Sequence, residues 1–144
     1  MRRLPDIRRE DGQGLVEFAL VLPILLMVAT GITSFGIVFY RYITLTDAVR
    51  AGARTLSLGR GLTDACTPAV TETVNSAIDV NLQPSQVKVI VNNNANSCNG
   101  ADGTDWIQGN QATVSASIPY SLNIFGVINI KSGTLTASAT DAIE

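Results

Sequence analysis

FALVLPILLMVATGITSFGIVFY, residues 18–40, is a run of 23 residues without a charge, interrupted by hydroxyls only at Thr30, Thr33 and Ser34. As an α-helix rising 1.5 Å per residue it is about 35 Å long, enough to cross a hydrocarbon core of about 30 Å. A soluble core helix of that length carries a polar stripe, and this run has none, so it is read as a membrane span. A cleaved secretory signal is the competing reading, and Arg2, Arg3, Arg8 and Arg9 suit its basic start. The run exceeds the roughly 7–15-residue core of such a signal, and no A-x-A-like site clearly ends it. The span is therefore expected to remain in the mature protein.

The whole chain has 144 residues, 10 Lys+Arg against 12 Asp+Glu, and no histidine. That length fits one small domain with an appended segment. Without a basic surplus it lacks the electrostatic footprint of nucleic-acid binding, so no nucleic-acid partner is expected. Without histidine the commonest general base and transition-metal ligand is missing, and Ser-His-Asp or Cys-His triads cannot be written. No enzyme activity and no cofactor are expected.

Positive charge does not orient the span. Four arginines precede it, and Arg41, Arg50, Arg54 and Arg60 follow it closely. Two other features break the tie. The only cysteines, Cys66 and Cys98, both lie beyond the span, and an even pair suits a disulfide in an oxidising compartment. The downstream region is also rich in Asn, Thr, Ser and Gly, as in exported surface domains. The N-terminus is expected in the cytoplasm and the C-terminus outside.

The helix is expected to continue past the membrane, over about 15–58. Residues 42–58 lack proline, and Ala48, Val49, Gly52, Ala53 and Leu56 recur at spacings of three and four. Asp47 can pair with Arg50 on the polar face, and Gly59 and Gly61 are the stop signal. A second helix is expected from Pro68 to about Val80, with Thr67 as N-cap and Val70, Val74 and Ile78 on one face. Then the period changes to two. Val87, Val89 and Val91 alternate with polar neighbours, as do Val114, Ala116 and Ile118, and Leu135, Ala137 and Ala139 within 134–143. Three strands in an antiparallel meander against the long helix make the fold class α+β. The connector 92–110 reads as an exposed loop. Its Asp102 and Asp105 offer hard oxygens without EF-hand spacing, so an ordinary turn is expected and no metal site is assigned.

The start of the span, EDGQGLVEFALVLPILL (residues 10–26), carries the functional signal. Glu17 stands at the very edge of the apolar run. Either it lies in the headgroup layer, or it awaits a positive partner, because a carboxylate at mid-membrane costs about 2.5–3.5 kcal/mol and less near the interface.

This arrangement resembles the TadE-like minor pilins of the tight-adherence (Flp-type) pilus system, within the wider type IV pilin group. The carrying features are a leader, a glycine, four residues and Glu-Phe (Glu17, Phe18), then a hydrophobic helix with early Pro23. "FGIVFYRYITLTDAVRAGAR" and the final strands resemble the family too, so the resemblance covers most of residues 10–140. It implies that prepilin peptidase cuts so that the glutamate becomes the fifth mature residue. The cut would follow Gly12 and the mature chain would begin at Gln13; a cut after Gly14 would place Glu17 third and ranks second.

The implied layout is a cytoplasmic leader over 1–12, a long helix over 13–58 and an exported domain over 59–144. The new α-amine would pair with Glu17 of an axially shifted neighbour, favouring one register in a low-dielectric bundle. The implied function is a minor pilin or pseudopilin, inserted in the inner membrane and later displayed at the surface or in a pilus. Its implied partners are other pilin subunits, the assembly machinery, prepilin peptidase and, before assembly, membrane lipid; adhesion or secretion is the service. The alternative is a ligand-binding module on a permanent, uncleaved tether.

Overall fold

The computed structural model describes residues 10–95, 97–101, 104–124 and 128–144. The arginines at 2, 3, 8 and 9 and the carboxylate at Asp102 lie outside them. Helix α1 spans Glu10–Ser57, 48 residues. It starts earlier than the expected residue 15, continuing through Gly12 and Gly14, and ends one residue short of the expected 58. Pro23 removes one backbone donor without ending the helix. The hydroxyls inside the apolar run turn back on their own helix: Thr30 donates to Leu26 O at 2.8 Å and Thr33 to Ala29 O at 2.9 Å. Both groups are thus satisfied without water, as a membrane segment requires. At the far end the Gly59 N–H donates to Leu56 O, and Gly61 takes a φ of 85°, a left-handed turn open to glycine.

The last third of α1 carries the core. Leu45, Ala48, Val49, Gly52, Ala53 and Leu56 are buried, as the spacing of the last five predicts. Asp47 and Arg50 pair at 3.3 Å on the exposed face, where such a bridge contributes little. Helix α2 spans Cys66–Ser76 and packs on this stripe. Its ends differ from expectation. The N-cap is Ala65, not Thr67, because Asp64 Oδ1 accepts the Thr67 N–H at 3.1 Å and starts the helix sooner. The helix stops at Ser76, so Ile78 leaves the apolar face and is 83% exposed. Ala69 and Thr73 are the residues that α2 buries, with Val70 and Val74 half-buried beside them.

A 3-10 turn at Pro84–Gln86 leads into the sheet of β1 (Val87–Val91), β2 (Gln111–Ile124) and β3 (Ile128–Ala142). The order is β1-β2-β3 and both pairings are antiparallel, the expected meander. Ala112, Val114, Ala116 and Ile118 point into the core, and Leu135 and Ala139 flank buried Ala137. The third strand is longer than expected, starting at Ile128 rather than near 134. β1 pairs only as far as Val87↔Ala116, so Ser117 to Ile124 of β2 bond to β3 alone. This two-stranded ribbon runs on along α1, and Ser121 lines a cleft with Ser34, Ile37, Val38 and Arg41. The fold class is α+β.

Candidate functional site

The exposed apolar surface of α1 dominates the molecule. Leu15, Val16, Phe18, Leu20, Ile24, Leu25, Ile32, Phe35 and Phe39 are all exposed, although their side chains have every chemical reason to leave water. Among the described residues, α1 is one helix long and apolar enough to cross a membrane, and none of its most apolar stretch is buried by the rest of the chain. The candidate processing and assembly residues, Gly12, Gln13, Glu17 and Phe18, occupy the first turns of this surface and are all exposed. Gly12 has open space around it. Gln13 and Glu17 are four residues apart and share one helix face, so anything docked there meets both.

The opposite end of α1 is held by a cross-linked head. Cys66 and Cys98 form a disulfide. Backbone bonds reinforce it: Ala65 N–H donates to Cys98 O at 2.9 Å, Gly61 N–H to Gly100 O at 2.8 Å and Ala101 N–H to Leu62 O at 3.1 Å. The Thr67 hydroxyl, then its backbone N–H, hold the Asp64 carboxyl below its ordinary value.

The connector 92–110 is more than the exposed loop its composition suggests. Trp106 within it is buried and packs over Gly59, making it the largest side chain of the core. The Asn-rich letters hid it, because one apolar residue among polar ones gives no periodic signal. Asp105 ties the loop together. Its carboxylate accepts from Asn94 Nδ2 at 2.9 Å and Asn92 Nδ2 at 3.4 Å, and its carbonyl accepts from Asn110 Nδ2 at 3.0 Å. The hydroxyl of Ser97, then Asn94 and Asn92, hold the Asp105 carboxyl below its usual value.

A small α+β head thus packs on the last third of one long helix, and most of the rest of that helix is bare and apolar. The family model described as TadE-like protein matches residues 12–54, from the first exposed turn of α1 through most of its buried stripe. The likeness is thus to the N-terminal helix, and it stops before the rest of the head. No curated protein and no solved structure matches the chain.

Proposed function

We propose that this protein is a minor pilin or pseudopilin of a Tad-type pilus, a structural subunit with no catalytic role and no cofactor. The observation that supports this reading most directly is the TadE-like match over a helix whose apolar surface is bare, with Glu17 exposed near its N-terminal end. In this reading residues 1–12 are a cytoplasmic leader removed after Gly12, α1 then anchors the chain in the inner membrane, and the head from residue 59 lies outside. Processing removes four arginines and three acids, Asp6, Glu10 and Asp11, and with them a polar anchor that opposes extraction. The new α-amine on Gln13 and the carboxylate of Glu17 emerge on one face. A neighbour shifted along the axis can pair with them, and in a low-dielectric bundle that pairing selects one stagger over others. Other pilin subunits and the assembly machinery are the partners, and adhesion or secretion is the service.

Two measurements test the proposal. Sequencing the mature N-terminus should give Gln13, and Gly12→Ala should slow processing sharply; a start at Met1 would sink the assignment. Membrane-inserted and filament-associated fractions should then be compared for wild type and Glu17→Gln. Leaving one partner of a buried pair alone costs about 3–5 kcal/mol, so assembly should fail while insertion and processing persist. Unchanged assembly removes Glu17 from the role of registering residue.

A further inference from the structure

The charges of the head stop at one level, and the polypeptide does not. On α1 the first charge after the span is Arg41; on the ribbon the first charge after the turn is Lys131, which pairs with Leu122. Ser121, the neighbour of Leu122, lines a cleft whose α1 wall runs from Ser34 to Arg41, so the two cations stand within about two helical turns of each other along the axis. Tyr40 and Tyr42 on α1 and Tyr120 on β2 join them, and the Tyr40 hydroxyl donates to Asp79 Oδ2 at 2.7 Å. Basic residues and tyrosines gathered in one band of that depth are the usual marks of a membrane–water boundary.

Beyond that level the ribbon continues. From Trp106 to Ile130 the sequence holds no charged residue, and residues 122–130 read LNIFGVINI. Strand pairing carries on through Asn123↔Asn129 to Ile124↔Ile128, about 7 Å past the Leu122↔Lys131 pair at ~3.3 Å per residue. Meanwhile Thr30, Gly31, Ser34 and Val38 are half-buried on a segment of α1 whose other residues, from 12 to 43, are exposed. Those four share one face, and the last two line the cleft with Ser121.

We propose that the end of the β2–β3 hairpin, at Leu122–Ile124 and Ile128–Ile130, is seated in the lipid surface beside α1, in the leaflet on the head's side. The protein then grips the bilayer with two elements, and the hairpin fixes how deep the head sits. The inference rests on reading α1 as a membrane span. Its depth is bounded by the backbone: a two-stranded ribbon leaves polar groups along its unpaired edges, which hydrocarbon does not tolerate. The hairpin end therefore lodges in the headgroup and upper acyl layer, the zone of about 5–10 Å that interfacial elements occupy.

The full chain in vesicles of phosphatidylcholine brominated near the top of its acyl chains tests this. Tryptophan is added singly as Ile128→Trp, Ile24→Trp or Ser138→Trp, and the added emission is read over the constant signal of Trp106. Ile128→Trp should be blue-shifted and quenched to within about twofold of Ile24→Trp, as a residue in the upper acyl layer would be, while Ser138→Trp should be unquenched. Quenching of Ile24→Trp alone overturns the inference, with the hairpin facing water or protein, and leaves the span intact. Failure of both means that α1 does not insert, and the inference falls with it. A wild-type check avoids substitution: photoactivatable-diazirine lipid should label the tryptic peptide 89–131, and its absence from the labelled set counts against the hairpin.

Discussion

Thr73 Oγ1 occupies the space that a side chain on Gly52 would need, so α2 lies directly on the backbone of α1. The same hydroxyl, fully buried, donates to Ala69 O at 2.7 Å, which fixes its position. An alanine in place of glycine inside a helix normally helps by about 1 kcal/mol. Here the overlap with Thr73 should reverse the sign, and Gly52→Ala should cost the head about 1–3 kcal/mol. Gly52→Ala combined with Thr73→Ala should recover part of that loss. A double-mutant cycle on urea unfolding in detergent, followed by Trp106 emission, decides it; an additive pair would refute the contact.

The two halves of α1 should answer differently to the same truncation. Leu45 is fully buried, and Leu45→Ala should cost the head about 2–5 kcal/mol. Leu25, exposed on the bare segment, touches no core, and Leu25→Ala should leave the unfolding midpoint of the head unchanged. Equal losses would mean that head and span unfold as one unit.

Reduction of the Cys66–Cys98 bridge should loosen the head. The bridge spans a sequence separation of 32 residues, and chain-entropy arithmetic for a loop of that size gives about 3–4 kcal/mol at most. The urea midpoint should therefore fall on adding dithiothreitol, and Cys66→Ser with Cys98→Ser should reproduce the fall. An identical midpoint with and without reductant would show that the surrounding backbone bonds suffice alone.

Acid should weaken the Asn-rich loop through Asp105. Its carboxyl is held below the usual value by Ser97, Asn94 and Asn92, so its contribution is present above the unfolded pKa of about 3.9 and is lost as pH falls through the lower folded value. Asp105→Asn should be less stable than wild type near neutrality, and the gap should close below about pH 4. Thermal midpoints of both proteins across that interval give the answer. A constant gap would assign the effect to shape rather than charge.

The parts of the fold that sequence reveals are those with a period. The stripe Ala48, Val49, Gly52, Ala53 and Leu56 repeats as a helix face, and Val114, Ala116 and Ile118 alternate as a strand, because each pattern is imposed by a single buried side. Features set by one contact escape it. Asp64 moves the start of α2 through one hydrogen bond, Trp106 sinks from within polar letters, and Ile78 is left exposed by a helix that stops two residues before it. The early part of β3 escaped for another reason: INIKSG, residues 128–133, alternates over only four letters before Ser132 and Gly133 break the period, too short a run to stand out as a strand. Of the candidate assembly residues, Glu17 and Phe18 are legible as letters at the edge of an apolar run. Their contacts within the chain carry no further information, since both side chains are exposed.

Because α1 is one uninterrupted helix from Glu10 to Ser57, the head has no swivel relative to the bare segment. Its compass bearing is set by residue count alone: each residue inserted or deleted between the two would turn it by about 100° and shift it by about 1.5 Å. A length change of one residue between Phe18 and Ala29, upstream of every α1 residue that the ribbon half-buries, would swing the head by a little more than a quarter turn relative to Glu17. The spacing between span and head is thus a dial, and evolution can retune which side of the head faces outward without altering a single contact inside it.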